Sequence, residues 1–465
     1  MKSQENIVLI ILICCVATLG GFLFGFDSGV INGTIDGLKT AFNSQQVGTG
    51  FNVASMLLGC AIGAFFAGTL ADKFGRRNLL LVAAMFFIVS AWGSGIASSS
   101  FEFIIFRVLG GLAVGAASVM TPAYISEIAP PRMRGRLATI QQFAIISGLL
   151  IAFISNYLLA DAAGSSTTMF WMEYEAWRWM FWIELIPAVL FLLLLLLIPE
   201  SPRFLVLVKR EEEADKVLSR LFGKQASSQL IIDIKQSLES QTTPKLGDLI
   251  DKQTSNVRKI VWVGIGLAAF QQLVGINVIF YYGAILWQAV GFTEAEALTT
   301  NIIGAGISIL ACLITISMID KIGRKPFLII GSVGMTITLS LLVFAFGSAE
   351  TNILTGNLDL GSKGTLALMS ANAYVFFFNL SWGPVMWVML GEMFPNQIRG
   401  SGLAVAGIAQ WISNFAIAMT FPIMLSSIGL AGAYGFYAIC ALISVFFVVY
   451  FINETKGKTL ESMPG

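Results

Sequence analysis

The sequence predicts an all-α membrane protein with twelve transmembrane helices in two pseudo-symmetric six-helix halves, joined by a helical insert on the cytoplasmic face. Of its 465 residues, 56% are apolar and only 12% are charged, about half the charged fraction of a soluble protein. A membrane-spanning helix takes about 20 apolar residues, so this apolar content suffices for roughly a dozen spans. Three motifs also recur in the same order in both halves, which predicts an internal duplication.

Apolar windows give the position of each span. The predicted limits are 7–33, 48–71, 78–97, 102–124, 137–160, 179–198, 258–287, 297–319, 326–347, 365–391, 400–425 and 431–452. We therefore expect an N-terminal half over 1–202, a C-terminal half over 258–452 and a cytoplasmic tail over 453–465.

One long polar stretch, 203–257, separates the two halves. Its charges alternate in sign and its Leu and Val residues recur at helical spacing, which predicts two or three short amphipathic helices. A plain linker and a gating element both stay open as its role. Most Lys and Arg residues fall in this stretch and in the loops on the same side, and the positive-inside rule makes that side cytoplasmic. Both termini lie there because the number of spans is even.

The composition excludes several classes of function. A net charge of +1 provides no basic surface for a nucleic acid. The chain has no His, and its five Cys residues lie within apolar runs without the spacing of a metal or disulfide site. We expect no metal, no cofactor and no redox chemistry. Any proton that moves through this chain has to be carried by a carboxylate.

The repeated motifs lie at the ends of equivalent spans. Asp-x-x-Gly-Arg follows spans two and eight, Glu-x2-Pro-x3-Arg-Gly follows spans four and ten, and acidic motifs around Glu200 and Glu454 close spans six and twelve. Gly permits a positive φ while the acid and the guanidinium reach neighbouring helix ends, so we expect a latch of salt bridges when the cytoplasmic side is closed. Simple positive-inside topology explains the basic residues but not the recurring acid and Gly. The latch residues are Asp72, Arg76, Glu127, Arg134, Glu200 and Arg203, with Asp320, Arg324, Glu392 and Arg399.

Three ionisable residues lie within spans, where charge is costly and marks function. Asp27 lies in the outer third of span one, and Arg107 and Glu184 lie about five residues from the outer ends of spans four and six. All three therefore share one depth. Arg107 favours an ionised carboxylate, and protonation of the acid would release the pair, which describes a switch. A static pair that fixes helix register is the alternative.

Amide and indole side chains gather in spans five, seven, ten and eleven. Amides offer donors and acceptors that match the hydroxyls of a sugar, and indole faces stack on its C–H surface. Interhelical hydrogen bonding explains any single one, but the whole cluster indicates a neutral polyhydroxylated ligand. Gln272 and Asn277 both face one cavity only if it is broad or the helix is distorted at Gly275. The cluster comprises Gln141, Gln142, Gln271, Gln272, Asn277, Asn379, Trp382, Trp387, Gln410, Trp411 and Asn414.

Over essentially the whole chain, these motifs resemble those of the sugar porters of the major facilitator superfamily. The matches include Gly-Gly-Phe-Leu-Phe-Gly-Phe followed by Asp27, Gln-Gln-x-x-Gly-Ile-Asn ending at Asn277, and Gln-Trp-x-x-Asn ending at Asn414. The chain is most similar to bacterial hexose transporters, including proton-linked members. The resemblance implies a transporter rather than an enzyme, which imports a monosaccharide, glucose above all, by alternating access and proton symport.

The resemblance also implies the roles of individual residues. Asp27 and Arg107 match the proton-coupling pair of the symporters, and Glu184 matches a nearby acid. The charged residues of the repeated motifs match the cytoplasmic latch network. The sugar contacts are implied for Gln142, Gln271, Gln272, Asn277, Trp387 and Gln410, with Trp411 and Asn414 lining the site.

One position departs from the family pattern. The usual Asn of span eight is Ser308 here, which is shorter and lacks the second amide group, so we expect its sugar contact to pass through water. By the same resemblance, Asn379 stands where the passive human-type porters have Glu, which together with Asp27 favours the proton-coupled branch.

A passive facilitator on the same fold stays open as an alternative. A non-transporting sensor should have a long signalling tail, and a drug–proton antiporter should have a more apolar cavity. We expect a monomer in the lipid of the bacterial inner (plasma) membrane, with a monosaccharide and a proton as its partners.

Overall fold

The structure, a computed structural model, describes residues 5–130, 133–240, 246–251, 256–351, 358–395 and 398–456, without the side chains of 134–139, 239, 240, 246 and 351. The helices up to the insert are α1 (Ile7–Phe42), α2 (Gln46–Phe74), α3 (Arg76–Ile96), α4 (Ser100–Ile128), α5 (Arg134–Ala163), α6 (Ala176–Trp182) and α7 (Leu185–Leu197). The insert contains α8 (Pro202–Leu207), α9 (Glu211–Phe222), α10 (Lys224–Ser240) and a 3-10 turn (Leu246–Leu249).

The second half repeats this arrangement. Its helices are α11 (Lys259–Leu273), α12 (Ile276–Ala289), α13 (Glu294–Ile322), α14 (Arg324–Gly347), α15 (Gly364–Leu380), α16 (Trp382–Met393), α17 (Arg399–Ser427) and α18 (Gly429–Phe451). Between α14 and α15 lie a two-stranded ribbon, β1 (Glu350–Thr351) and β2 (Leu358–Asp359), and a 3-10 turn (Gly361–Lys363).

Twelve helical segments of the described chain are long and apolar enough to cross a membrane, which confirms the predicted number of spans. The helices extend beyond their apolar windows, and α1 continues to Phe42 although its window ends at 33. The reason is packing, since Asn32 and Thr34 are buried against other helices and lower the local hydropathy without ending the helix.

Three spans are interrupted near the middle of the bundle. The tenth span breaks at Ser381, and the sixth breaks between α6 and α7 beside Glu184. The seventh breaks at Gly275, whose φ of 85° is open to Gly and strained for other residues. The distortion considered at Gly275 is therefore present, and it frees backbone groups at the depth where polar side chains gather.

Equivalent pairs of helices pack against each other in the two halves. In the first half α1 packs on α5 and α2 on α4, and in the second half the equivalent helices α11 and α17, and α13 and α15, do the same. The halves meet where α2 contacts α17 and α5 contacts α13. Small residues permit the closest approaches, and a Cβ added to Gly25 of α1 would lie 1.8 Å from the carbonyl oxygen of Ile145.

The bundle has two membrane faces, which we call the insert side, where the insert lies, and the far side, opposite to it. On the insert side, the backbone N–H of Asn6 at the start of α1 donates to the carbonyl of Leu221 in α9 at 2.8 Å. The far side carries the end of α1, the α5–α6 connection and the start of α13, because successive spans alternate in direction.

Candidate functional site

A buried cluster of two carboxylates and one guanidinium lies between α1, α4 and the α6–α7 junction. One Arg107 amino group donates to the Asp27 carboxylate, and the other lies 2.9 Å from the sulfur of Met56. Asp27, Arg107 and Glu184 are each 1% exposed. The carboxyl group of Glu184 lies within electrostatic range of the other two charged groups. The structure thus brings together the three charged residues that the sequence placed at one depth.

This cluster is incompletely paired. Asp27 Oδ2, Glu184 Oε2 and Arg107 Nε have no hydrogen-bond partner within the described part of the chain. The Arg107 guanidinium also faces the Phe181 ring, 5.6 Å from the ring centre. Buried charge without a partner costs several kcal/mol. Two carboxylates beside one guanidinium therefore form a site whose charge balance changes with a single proton.

The amides of α11, α12 and α17 form one continuous hydrogen-bonded network. Gln272 donates to Gln271 Oε1 at 3.1 Å, and Asn277 donates to Gln272 Oε1 at 2.6 Å and to Asn414 Oδ1 at 2.9 Å. Gln410 lies 3.4 Å from Gln271 Oε1. All of these side chains except the half-buried Asn277 are buried. The break at Gly275 is what allows Gln272 and Asn277 to face each other.

Two buried glutamine acceptors of the described residues are unused, which makes them candidate sugar contacts. Gln410 Oε1 in the second half and Gln141 Oε1 in the first have no hydrogen-bond partner among the described residues. Gln142 is half-buried on α5. Trp411 is buried and packs across the halves against Phe24, with ring centres 5.8 Å apart. Trp411 therefore lies at the boundary between the halves, on the same helix as Gln410, and Gln141 and Gln142 lie on α5, which also contacts the second half.

Two predicted sugar contacts stand apart from this network. Trp387 on α16 is 42% exposed. Ser308 on α13 donates to the Gly304 carbonyl at 2.9 Å and accepts from Asn379 Nδ2 at 3.0 Å. The hydroxyl of Ser308 is thus engaged by its own helix and by α15, so a direct sugar contact there would have to displace one of these bonds.

On the insert side, the first half has a compact ionic network around Arg76. Its guanidinium pairs with Asp72 at 2.9 Å and with Glu127 at 3.1 Å. Glu200 Oε1 accepts the backbone N–H groups of Arg76 at 3.0 Å and Arg77 at 3.1 Å. Four predicted latch residues therefore meet at the start of α3.

The second half repeats this network around Arg324. That guanidinium pairs with Asp320 at 3.0 Å and with Glu392 at 2.8 Å. Glu454 accepts the backbone N–H groups of Arg324 and Lys325 at 3.0 Å each. The ion pairs of Arg76 and Arg324 stay inside their own halves, so they brace each half rather than join the two.

The remaining latch predictions have different outcomes. Arg203 lies 3.3 Å from the Ser237 hydroxyl in α10, which ties α8 to the insert. Arg399 donates to the Phe394 carbonyl at 3.1 and 3.2 Å. The side chain of Arg134 lies outside the described residues.

The latch predictions omitted residues that the repeat already indicated. Glu454 matches Glu200, and Thr455 donates to Glu392 at 2.5 Å just as Ser201 donates to Glu127. Burial acts to raise the pKa of the Glu454 carboxyl, but backbone N–H donors outweigh it and hold the pKa below its usual value. Applying the repeat to the ends of spans six and twelve would have found these residues.

No sequence motif indicated the far-side contacts between the halves, which we call the far-side gate. Asn32 of α1 donates to the Phe280 carbonyl at 2.8 Å and accepts from the Ala284 N–H at 3.1 Å and from Asn301 at 2.8 Å. Gln288 also donates to Asp36 at 3.1 Å. These contacts hold α1 against α12 and α13, so the halves are closed on the far side.

Known proteins resemble this chain over nearly its full length. Residues 13–465 match the family described as sugar (and other) transporters. A glucose transport protein of Synechocystis sp. is 49% identical over 99% of this chain and 98% of its own, and a D-xylose-proton symporter of Escherichia coli is 38% identical over 100% and 96%. The structure of the E. coli xylose transporter in a partially occluded inward open conformation superposes with a TM-score of 0.83 at 37% identity, covering 97% of this chain and 99% of that one. The chain therefore belongs to the sugar porter family of the major facilitator superfamily, and it is a sugar transporter, an integral multi-pass membrane protein rather than an enzyme.

Proposed function

We propose that this transporter imports a monosaccharide, glucose in the first place, by alternating access coupled to the uptake of a proton. The observation that carries the proposal is the buried cluster of Asp27, Arg107 and Glu184 in the same half-bundle that faces the amide network. Sugar recognition and proton binding then belong to one conformational cycle.

The amide network supports a neutral sugar as the substrate. Gln271, Gln272, Gln410 and Asn414 are uncharged and buried, and each offers both a donor and an acceptor. A sugar hydroxyl that enters would exchange with the amide–amide bonds already present. The name of the Synechocystis relative supports glucose, while the E. coli relative, named a D-xylose symporter, makes xylose the competitor to test.

The charge balance of the buried cluster supports proton coupling. With both acids ionised, the cluster carries one negative charge without a partner in a medium of low dielectric constant. A proton on Asp27 would leave Arg107 free to pair with Glu184, whereas an ionised Asp27 retains Arg107 and holds α1 to α4. Protonation would in this way release α1, the helix that also carries the far-side gate.

The positions of the gates support an inward-facing state. The far-side gate joins the halves, whereas the ion pairs around Arg76 and Arg324 on the insert side stay within one half. If the insert side is cytoplasmic, as its basic residues indicate, the sugar site opens to the cytoplasm. Outward opening would then break the bonds of Asn32.

We also propose the location, the oligomeric state and the division into halves. Both termini lie in the cytoplasm, the protein resides as a monomer in the bacterial plasma membrane, and 203–257 forms a cytoplasmic linker between the halves 1–202 and 258–452. The 453–465 tail follows the last span, and Glu454 at its start braces α14.

The free energy released by the entry of one proton is large enough to drive sugar accumulation. Moving one charge down about 100 mV releases about 2.3 kcal/mol, which supports roughly forty-fold accumulation of sugar.

Counterflow of labelled glucose in vesicles, with xylose, galactose and fructose as competitors and external pH recorded, tests the proposal. We expect xylose, galactose and fructose to compete with labelled glucose less well than unlabelled glucose does, and we expect alkalinisation outside during net uptake. Sugar exchange without any pH change under net flux would instead establish a passive facilitator.

A further inference from the structure

A short hairpin on the far side, residues 168–175 between α5 and α6, has no part in the transport mechanism described above. We call it the aromatic hairpin. The Phe170 N–H donates to the Tyr174 carbonyl at 2.9 Å, and Met169 and Glu175 pair in antiparallel fashion. Met172 and Glu173 make the turn with φ values of 54° and 59°. This segment is thus an ordered turn with a defined direction.

The tip of the aromatic hairpin exposes large apolar side chains. Trp171 is 62% exposed and Met172 is 67% exposed. Trp171 stacks on Trp179 of α6 with ring centres 5.0 Å apart, and Tyr174 meets the edge of Trp182 at 4.9 Å. A water-facing turn would ordinarily carry polar residues here, so this exposure requires an apolar partner.

The base of the hairpin fixes this exposure in place. Arg178 pairs with Glu175 at 2.6 Å and donates to the carbonyls of Gly95 and Ala97 at 2.8 Å each, which anchors the hairpin to the end of α3. The Ala176 N–H also donates to the Thr168 carbonyl at 2.9 Å. The apolar tip therefore cannot fold back on the bundle without breaking a half-buried ionic anchor.

The position of the tip identifies its partner. Trp182 donates to the carbonyl of Trp92 at 3.1 Å, and Trp92 is itself half-exposed on α3. The apolar surface is thus continuous from the outward faces of α3 and α6, which lipid covers, to the hairpin at their far-side ends. Trp and Tyr concentrate at this depth because their rings enter the acyl region while their polar atoms reach water. The single carboxylate at the tip, on Glu173, limits insertion to the headgroup layer, since charge is costly deeper in the bilayer.

We propose that the aromatic hairpin is a membrane-interface anchor, with Trp171 and Met172 inserted at the headgroup–acyl boundary of the far-side leaflet. The chain just before the hairpin touches the other half, because the Ser166 N–H donates to Glu294 at the start of α13 at 3.1 Å. A lipid-held hairpin therefore steadies one side of the closed far-side gate. This last consequence rests on the alternating-access cycle proposed above, whereas the lipid contact does not.

The test uses the full-length protein in phosphatidylcholine–phosphatidylglycerol liposomes, with a nitroxide on Met172→Cys. Power saturation compares the collision rates of the nitroxide with oxygen, which partitions into lipid, and with a water-soluble nickel chelate. We expect oxygen to dominate by several-fold at Met172→Cys, and the nickel chelate to dominate at the exposed insert position Glu212→Cys as the matched control. Met169→Cys, exposed on the hairpin opposite Glu175, serves as a second probe, and wild-type elution on size-exclusion chromatography selects folded variants.

Two results would overturn the proposal. Dominance of the nickel chelate at both hairpin positions, 169 and 172, would place the hairpin in water. Shielding of the tip from both reagents would mean that protein covers it, for instance a second copy of the chain. Neither readout involves sugar or protons, so the two proposals are tested independently. Proton coupling can fail while the lipid contact holds, and the lipid contact can fail while proton coupling holds.

Discussion

Glu200 and Glu454 occupy equivalent positions in the two halves, where each carboxylate accepts the first two backbone N–H groups of a helix, α3 or α14. These N–H groups have no partner within the helix, and the helix dipole favours a negative charge beside them. The preceding glycines have φ values of 97° and 102°, and a Cβ on either would lie within 3.0 Å of the carboxylate. One acid thus caps one helix in each half.

We expect Glu454→Gln to lower the thermal stability of the purified protein near neutral pH by about 1 kcal/mol, because a partly exposed charged hydrogen bond is lost. The pKa of Glu454 is depressed in the folded protein. Its contribution is therefore complete above the unfolded pKa of about 4.3 and disappears as the pH falls through the folded pKa. Unfolding curves of both proteins at pH 7 and below pH 4 should differ at pH 7 and converge in acid. An equal gap at both pH values would show that the charge is not responsible.

We expect Asn32→Ala to open the far side. The substitution removes the side-chain hydrogen bonds to Phe280, Ala284 and Asn301 across the halves, and a loss of about 1–3 kcal/mol shifts the conformational equilibrium roughly 5- to 150-fold. Labelling of a far-side cysteine inside the gate by an impermeant maleimide would report the shift.

The matched control is Asn156→Ala. Asn156 is equally buried and donates to the carbonyls of Gly29 and Val30 on α1, within the same half. This control should lower stability without changing which side is accessible. Equal labelling in the two variants would remove Asn32 from the gate.

We expect Gln272→Ala to weaken glucose binding roughly 5- to 150-fold, because it removes a two-ended amide contact worth about 1–3 kcal/mol. Asn372→Ala is the control, since that amide donates to the Leu368 carbonyl of its own helix and has no other side-chain hydrogen bond within the described chain. Equilibrium binding to purified protein measures both. Unchanged affinity for the Gln272 variant, at normal expression, would mean that the amides only hold helices together.

The charged cluster and the amide network could be found from the sequence because their residues are rare inside spans. Charged groups in lipid are costly, so Asp27 and Arg107 stand out in the sequence. Their equal depth within the spans was sufficient to predict that they lie close together. The helix break near Gln272 could be stated only as a condition, since the sequence does not show that Gly275 has a left-handed φ or that the Tyr437 ring leaves no room for a Cβ there.

Asn32 illustrates what the sequence did not reveal. An isolated amide within a run of small residues ordinarily forms a hydrogen bond between helices. The main partners of Asn32 are backbone groups roughly 250 residues away, and the side chains at those positions do not indicate the contact. The predicted end of α1 is too early for a related reason, because hydropathy does not register a polar helix end that is buried. Asn32 packs on the other half, and Gly37 and Phe42 pack on Trp177 of their own half.

We expect the insert side to face the cytoplasm. In a background without the exposed Cys15, an impermeant thiol reagent added to intact cells should label Ala295→Cys at the start of α13, and Ser228→Cys in α10 should react only after the cells are opened. The opposite pattern would invert the orientation.

The central claim is that Asp27 couples sugar transport to a proton, and uphill uptake of glucose by Asp27→Asn in energised vesicles tests it most directly. The amide mimics the protonated acid permanently, so the variant should keep sugar binding and exchange but lose accumulation and proton uptake. The exposed Asp161→Asn on α5 is the control and should keep both. At about 100 mV we expect the wild type to concentrate glucose up to roughly forty-fold and the Asp27 variant only to equilibrate it. Accumulation by the Asp27 variant, or none by the wild type, would contradict the account.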